Sequence, residues 1–226
     1  MLRLMTIPTR IRTLGAILYP DFELLDLYGP LEMFGCLGPE LAIVTVAQQA
    51  GPVRSAQGPE TLARHGFADC PALDLLLLPG GLGTLPQLAN DALHEFLRTR
   101  ARSAEVAMSV CSGSALFARA GLLDGRRATS NKIFFELARS QGEKVEWVEQ
   151  ARWVEDGPFV TASGVSAGTD MALGVIARLY GRARAEAVAL VTEYQWHTDA
   201  TRDPFAAQLN QTHWLAAATG ADTSRS

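Results

Sequence analysis

The feature that most constrains the fold is a short apolar segment that ends at a cysteine and is followed at once by small residues. Residues 105–110 carry no charge after the first position, which is typical of a buried strand. Residues 112–120 place small and apolar side chains at helical spacing. Cys111 therefore lies at a sharp strand-to-helix turn, and Ser109 and Gly113 complete the small-x-nucleophile-x-Gly pattern of a nucleophile elbow. The chain is predicted to be organised around Cys111.

An elbow of this kind presents the cysteine sulfur at the edge of the sheet. The free N–H groups and the positive dipole end of the following helix favour thiolate over thiol, so we expect a pKa below the ordinary value of about 8.5. A buried, inert cysteine is the alternative, because a free cysteine often behaves as a small hydrophobic side chain. The elbow context favours the reactive interpretation.

Length and composition predict one domain. The 226 residues are 48% apolar, enough for one sizeable core. We expect a single domain over 1–226, with its core over about 12–195 and a disordered tail over 216–226, where the residues are small and polar. The first 13 residues contain three arginines and a proline, which excludes a signal-peptide core or a membrane span there. A cytoplasmic protein with no membrane partner is the expectation.

Charge and cysteine content narrow the class of function. The formal net charge is −4 and the basic residues do not cluster, so the sequence predicts no basic patch that could bind nucleic acid. The three cysteines cannot all pair, and none lies at metal-ligand spacing from another. Neither a disulfide framework nor a metal site is expected.

Strand and helix patterns alternate along the chain, which predicts an α/β fold with a mostly parallel central sheet flanked by helices. Unbroken apolar strands are predicted over 13–19, 41–47, 73–78 and 105–110. The other predicted elements are a small hairpin within 51–68, helices over 85–102, 112–120, 133–139, 163–179 and 184–194, and strands over 128–132, 144–148, 151–155 and 159–162.

Asp26 is a candidate for acid–base work. A helix is predicted to begin at Gly29-Pro30, because the missing N–H of Pro30 costs nothing at the first helical position. Asp26 would then lie just ahead of that helix, after the first strand. A helix cap or loop aspartate is the alternative. Its leucine-rich surroundings instead favour a half-buried carboxyl group near a cleft, which is typical of functional sites.

A glycine turn follows the most apolar strand. Residues 73–78 lead into Pro79-Gly80-Gly81-Leu82-Gly83, where glycine allows a close approach of the backbone. Phosphate binding is the rival interpretation, but neither phosphate-loop motif is present. We expect Gly80 and Gly81 to form a backbone site of the oxyanion type, with the Gly81 N–H and the N–H of Cys111 or Ser112 as donors.

Several motifs together resemble the ThiJ/PfpI superfamily, and within it the isonitrile hydratase branch. The resemblance runs from about Thr13 to Val191. The segments that carry it are Leu24-Leu25-Asp26-Leu27-Tyr28-Gly29-Pro30, Leu78-Pro79-Gly80-Gly81, Ser109-Val110-Cys111-Ser112-Gly113-Ser114, the stretch from Ala120 to Thr129, and Thr161-Ala162-Ser163-Gly164-Val165-Ser166-Ala167-Gly168.

The resemblance implies a flavodoxin-like sandwich, usually a homodimer, that acts on a small molecule without metal or organic cofactor. It places a cysteine nucleophile at Cys111 and its acidic partner at Asp26. Ser112 is the expected nearby donor. In hydratases of this type the thiolate attacks an isocyanide carbon, and water converts the resulting thioimidate to an N-substituted formamide. The predicted substrate-binding residues are Tyr28, Asn131 and Ser166.

Some positions depart from the family patterns. Ser112 stands where protease-like members carry histidine, which disfavours a Cys-His peptidase or amidase. Of four histidines, His197 is the one considered able to approach Cys111 in space, although its segment is more simply a packed C-terminal piece or a dimer contact. Tyr28 is bulkier than the expected threonine, and Asn131-Lys132 also differs. These differences bear on the substrate rather than on the nucleophile.

Other functions remain open at this point. A redox or stress sensor would use oxidation of an exposed Cys111 thiolate. A small-molecule glyoxalase or amidase-like hydrolase would use the same nucleophile. A sensing domain of a transcription regulator ranks last, because the chain stops soon after its last predicted helix and leaves no room for a helix-turn-helix pair.

Overall fold

The computed structural model describes residues 10–213. Within that range the strands are β1 (Arg12–Ile17), β2 (Leu41–Val46), β3 (Gly51–Arg54), β4 (Glu60–Ala63), β5 (Leu75–Leu78), β6 (Val106–Val110), β7 (Arg127–Ala128), β8 (Glu146–Trp147), β9 (Trp153–Asp156) and β10 (Phe159–Ala162). The helices are α1 (Leu24–Gly35), α2 (Thr84–Gln87), α3 (Asp91–Ser103), α4 (Gly113–Arg119), α5 (Phe135–Arg139), α6 (Ala167–Tyr180) and α7 (Arg182–Val191).

Six strands form the main sheet in the order β2-β1-β5-β6-β10-β9. All neighbouring pairs are parallel except β10 with β9, which is antiparallel. The four leucines of β5 are fully buried, as expected for a strand covered on both faces. Helix α6 contacts α1 and α7, and α4 contacts α3 and α5. The predicted α/β, flavodoxin-like architecture is confirmed.

The predicted hairpin is β3 paired with β4, and an isolated bridge from Val46 to His65 attaches it beside β2. Strands β9 and β10 form a second hairpin, whose two linking residues are Gly157 and Pro158 rather than the predicted Asp156-Gly157. The short pair of β7 with β8 is parallel. The loop that follows β7 leads to Asn131.

The first helix begins earlier than predicted. It starts at Leu24, and Pro30 lies inside it rather than at its start. Proline inside a helix removes the hydrogen bond to the carbonyl four residues back, here that of Asp26, and its ring crowds the same carbonyl. Burial of Leu27 and Phe34 on the inner face stabilises the continuous helix. Asp26 is therefore in the first turn of α1 and not ahead of it.

Two other predicted helices have different bounds. The helix predicted over 85–102 is split into α2 and α3, because the Asn90 side chain accepts the Leu93 N–H at 3.2 Å and caps a new helix. The helix predicted from Ser163 starts at Ala167 instead. Val165 has a φ of 32°, which no helical residue adopts, so the turn before α6 stays a loop.

Some predictions concern features beyond these elements. The predicted tail over 216–226 lies outside the described residues, and the single-domain assignment stays a prediction. Among residues 10–213, no helix has both the length and the apolar character needed to cross a membrane. The three cysteines are unpaired.

Candidate active site

Loops that follow four neighbouring strands meet at one edge of the sheet. The connection after β1 leads to Asp26 on α1, the glycine turn follows β5, Cys111 follows β6, and the loop 163–166 follows β10. Because the four strands are parallel, their carboxyl ends lie at the same edge, where open α/β sheets place their sites.

Cys111 adopts a strained backbone conformation, with a φ of 57°. This region disfavours residues with a side chain, and such strain is concentrated at functional sites. The Cys111 N–H is held by the carbonyls of Ala162 at 3.2 Å and Ser163 at 3.0 Å. A Cβ atom on Gly80 would lie 2.6 Å from Ser112 N, and one on Gly113 would lie 2.6 Å from the Leu78 carbonyl oxygen. The elbow therefore depends on glycine at both positions.

Asn131 contacts the cysteine sulfur directly. Its Nδ2 donates to Cys111 Sγ at 3.1 Å, while its Oδ1 accepts the N–H groups of Ile133 at 2.9 Å and Phe134 at 3.1 Å. Because two backbone donors fix Oδ1, the amide nitrogen must face the sulfur. A Cβ atom on Gly164 would lie 2.7 Å from Nδ2, so glycine there leaves room for the contact. Asn131, predicted to bind substrate, is thus a hydrogen-bond donor to the sulfur.

Asp26 is fully buried beside the cysteine. Its Oδ2 accepts the Gly80 N–H at 2.9 Å. Burial raises the pKa of Asp26 to about 8, although the Gly80 N–H and hydrogen bonding from the Cys111 thiol both favour the charged form. Within the described residues, no hydrogen bond of ordinary geometry reaches Oδ1. The carboxyl group therefore holds a proton near neutral pH and has one oxygen free to transfer it.

The cysteine does not have the depressed pKa that the sequence predicted. Cys111 is 6% exposed, and burial together with the nearby Asp26 charge raises the pKa of its thiol well above the ordinary value. The Ser112 N–H and the Asn131 amide act in the opposite direction but do not outweigh burial. The elbow supplies the N–H donor that the sequence predicted, but the cysteine is more deeply buried than we expected of a turn at the surface. The resting pair holds its protons at neutral pH.

A chain of hydroxyl groups fixes the Ser112 side chain. The Tyr19 hydroxyl lies 2.7 Å from the Pro79 carbonyl, which can only accept, so the tyrosine donates there. The Thr84 hydroxyl, 3.1 Å from Tyr19, must then donate to the tyrosine oxygen. Ser112 Oγ lies 2.8 Å from Thr84 Oγ1 and must donate to it in turn. No sequence pattern predicted that Tyr19 or Thr84 belongs to the site.

This arrangement changes the role expected of Ser112. Its hydroxyl is close enough to Cys111 to bind the sulfur, but its one hydrogen is committed to Thr84. The contact from Ser112 Oγ to the Gly81 carbonyl is longer, at 3.4 Å. The Ser112 hydroxyl hydrogen is therefore engaged with Thr84, and the Ser112 N–H is the group that donates toward the cysteine.

The two glycine N–H groups of the predicted oxyanion site already have partners. The Gly80 N–H donates to Asp26, and the Gly81 N–H donates to Ser112 Oγ at 3.1 Å. Gly81 has a φ of 125°, which only glycine adopts readily. The glycine turn thus orients the acid and the serine, and the N–H groups of Gly80 and Gly81 are both already engaged.

The remaining predicted residues have different positions. Ser166 lines a cavity of about 490 Å³ that Asn131 also lines, and its Oγ accepts from Arg152 Nη2 at 3.3 Å. Tyr28 does not line that cavity. Its hydroxyl lies 2.7 Å from Thr61 Oγ1 of the β3–β4 hairpin. The structure therefore brings Ser166, and not Tyr28, to the cavity beside the cysteine.

His197 belongs to the packed C-terminal segment. Its N–H donates to Asp170 Oδ1 at 2.9 Å, and its Nε2 lies 3.2 Å from the Arg202 carbonyl oxygen. Tyr194 and Trp196 also hydrogen-bond to Asp170. His197 therefore serves packing, and no contact joins it to Cys111 among the described residues. Within residues 10–213 no group of three or more His, Cys, Asp or Glu side chains is arranged to hold a metal ion.

The fold and the site together define an α/β protein of the flavodoxin-like class, with a strained cysteine next to a buried, protonated carboxyl group at the carboxyl edge of its sheet. Residues 15–178 match the family model described as the DJ-1/PfpI family. The chain belongs to this family.

Known relatives differ in what their names report. An isonitrile hydratase of Pseudomonas putida is 35% identical over 80% of this chain and 78% of its own length. The HTH-type transcriptional regulator GbdR of Pseudomonas aeruginosa is 28% identical over 81% of this chain, which covers 51% of the regulator. A crystal structure of a ThiJ/PfpI family protein from Pseudomonas syringae has 32% identity and a TM-score of 0.77, covering 93% of this chain and 88% of that one.

Proposed function

We propose that this chain is an isonitrile hydratase-like lyase, which converts an isonitrile R–N≡C to the formamide R–NH–CHO through a thioimidate on Cys111. The observation that carries the proposal is the pairing of the strained Cys111 with the buried Asp26, whose pKa near 8 suits it to give and take protons. The 35% identity to an isonitrile hydratase supports the choice of reaction.

At rest both groups of the pair are protonated, and the reacting form is the one that has released one of the two protons to solvent, as the pKa of Asp26 near 8 allows. The first step therefore begins from the Cys111–Asp26 pair with one shared proton. The sulfur donates an electron pair to the isonitrile carbon and forms the C–S bond. Asp26 delivers the shared proton to the same carbon, which gives the thioimidate and leaves Asp26 as a carboxylate. The Gly80 N–H, 2.9 Å from Oδ2, stabilises that charge. Asn131 Nδ2 holds the sulfur for the attack.

Water completes the reaction. Asp26 removes a proton from a water molecule as its oxygen adds to the thioimidate carbon, and it passes that proton to the nitrogen. The tetrahedral intermediate then breaks its C–S bond, the sulfur leaves with the electron pair, and Asp26 takes the hydroxyl proton. Formamide is released and the pair again shares one proton. The acceptor oxygen of Ser112 is suited to orient the incoming water.

The redox alternative has less support from the site. Oxidation of a cysteine follows thiolate character and exposure. Cys111 is 6% exposed, and burial raises the pKa of its thiol. Both properties disfavour a sensor and suit a nucleophile that reacts only when substrate and Asp26 are in place.

Covalent trapping tests the proposal. The protein is mixed with cyclohexyl isonitrile, quenched during turnover and reduced with borohydride, and its peptides are analysed by mass spectrometry. The Cys111 peptide should carry the mass of the isonitrile plus two hydrogens. The Cys70 peptide is the internal control, because that cysteine is free and also buried. Formamide accumulation with an unmodified Cys111 peptide after reduction would contradict the mechanism.

A further inference from the structure

The cavity beside Cys111 provides a second part of the substrate site. Its volume is about 490 Å³, within the range of small-molecule sites. The loops 131–133 and 163–166 form one side, and Phe205 and Gln208 form the other. Asn131 lines the cavity and donates to the Cys111 sulfur at 3.1 Å. Cys111 is not itself a lining residue, and Asn131 is the side chain through which the cavity and the sulfur adjoin.

The lining favours an uncharged, apolar group. Ile133, Val165 and Phe205 contribute apolar side chains. Lys132 also lines the cavity, but its Nζ donates to Thr129 Oγ1 at 2.9 Å and to the Ala151 carbonyl at 2.7 Å, within the protein interior. Its charge is thus already engaged and does not select for an anion.

The wall that carries Phe205 is fixed at both ends. We name residues 203–210 the C-terminal strap. At one end the buried Asp203 carboxylate lies 3.8 Å from Lys132 Nζ. At the other end the Asn210 N–H donates to the Lys132 carbonyl at 2.8 Å, and the Asn210 side chain accepts the Glu136 N–H at 2.9 Å. The strap is therefore attached to the residue that follows Asn131 in the chain.

Phe205 occupies a defined position on this strap. Its N–H donates to Asp203 Oδ1 at 2.9 Å, at the start of a 3-10 turn over Ala206–Gln208. The side chain lines the cavity but remains 57% exposed. An exposed aromatic ring in a concave, apolar site gains contact area when an apolar group packs against it.

We propose that Phe205 sets substrate selectivity by packing against a cycloalkyl or aryl group on the isonitrile nitrogen. This inference rests on the proposed hydratase function and adds the residue that selects for the size of the substrate's apolar group. The cavity volume accommodates a six-membered ring, and the contacts of Asp203 hold the backbone of Phe205 at the cavity.

The first test compares hydration of cyclohexyl isonitrile and methyl isonitrile. In Phe205→Ala the ratio of kcat/KM for the two substrates should fall by about tenfold or more, since apolar pockets discriminate by such factors. Phe205→Leu should restore part of the ratio. The matched control is Leu190→Ala, which removes an exposed apolar side chain from α7 and should leave the ratio unchanged. An unchanged ratio in Phe205→Ala would overturn the proposal.

A second test does not require hydration. Maleimides alkylate Cys111 when its sulfur adds to the carbon–carbon double bond and the neighbouring carbon takes a proton. Wild type should react faster with N-cyclohexylmaleimide than with N-methylmaleimide, and Phe205→Ala should lose that preference. Absence of hydration with this preference intact would refute the hydratase function but support the apolar subsite. Absence of the preference in wild type would overturn the subsite itself.

Discussion

Asp26 has opposite effects on two reactions of Cys111: it promotes formamide production and hinders thiol alkylation. Asp26→Asn removes the proton carrier, so formamide production should fall about 10²-fold or more. The same change removes the negative charge that raises the pKa of Cys111. Thiol alkylation should therefore begin at lower pH in the variant than in wild type. The measurement is the pH profile of alkylation beside the steady-state rate.

Damage to the site would also lower the pKa of Cys111, because it would expose the buried thiol. The shift is therefore assigned to the lost charge when Asp26→Asn unfolds at the same urea concentration as wild type. An alkylation profile that moves to higher pH, or a rate equal to that of wild type, would contradict the role given to Asp26. The titratable groups that face Cys111 are Asp26 from α1 and Tyr19 from the segment after β1, and burial keeps the pKa of Tyr19 raised.

Tyr19 controls the direction of the Ser112 hydroxyl. In Tyr19→Phe the Thr84 hydroxyl loses its acceptor and can donate to Ser112, 2.8 Å away. The Ser112 hydrogen is then free to bind the Cys111 sulfur, which favours thiolate. Alkylation of Cys111 should shift to lower pH, while formamide production falls because Ser112 no longer accepts from water.

The control for Tyr19 is Tyr28→Phe. It removes a hydroxyl that contacts Thr61 of the hairpin and not the Ser112 chain. Its alkylation profile should coincide with that of wild type. Coincident profiles for all three proteins would refute the assigned direction of the hydroxyl chain.

At the scale of elements, the elbow and the glycine turn fit together without spare room. A Cβ atom on Gly80 would meet the Ser112 backbone nitrogen at 2.6 Å, and backbone cannot rotate aside. Gly80→Ala should destabilise the protein by about 1–3 kcal/mol, as overpacking does, and should reduce turnover. Urea unfolding and the formamide assay measure the two effects.

Gly35→Ala is the matched control for that substitution. Nothing lies within 4 Å of its added Cβ, and Gly35 is the last residue of α1. Its stability should change by less than about 1 kcal/mol, in the stabilising direction. Equal destabilisation by the two substitutions would show that the close approach at Gly80 does not hold the elbow.

The elements themselves were largely predictable. The apolar strands and the Cys111 junction follow from local pattern, and the structure places them as expected. Helix α1 was placed too late because proline is a strong local start signal, while burial of Leu27 and Phe34 decides the actual start. The pKa of Cys111 was not predictable, because it depends on depth within the whole fold.

At the scale of the whole molecule, a buried charge cluster joins the C-terminal segment to the sheet. Arg152 Nη2 lies 2.6 Å from Asp170 Oδ2, and both side chains are buried. Asp170→Asn removes the nearer of the two buried carboxylates that face the guanidinium and leaves only Asp203, 3.8 Å away, so we expect a loss of about 3 kcal/mol of unfolding free energy. Urea denaturation measures the loss.

The comparison for Asp170 is a surface pair. Asp124 lies 3.5 Å from Lys144 and both are exposed, so Asp124→Asn should cost less than about 1 kcal/mol. Similar costs for the two variants would mean that the buried cluster adds nothing to stability beyond an ordinary surface contact.

Contacts between distant parts of the chain were beyond the reach of sequence patterns. Asn131 was predicted to bind substrate and was noted as a departure from a family pattern, whereas the structure shows its amide on the Cys111 sulfur. Phe205 has no local signal, since its place at the cavity depends on the anchors of the C-terminal strap. The homodimer and the cytoplasmic location stay predictions.

Formamide production from cyclohexyl isonitrile by wild type and by Cys111→Ala is the decisive comparison for the nucleophile. We expect steady turnover by wild type and none above background by the variant, with both proteins equally stable to urea. Formamide production by Cys111→Ala at the rate of wild type would contradict the role of Cys111 as that nucleophile.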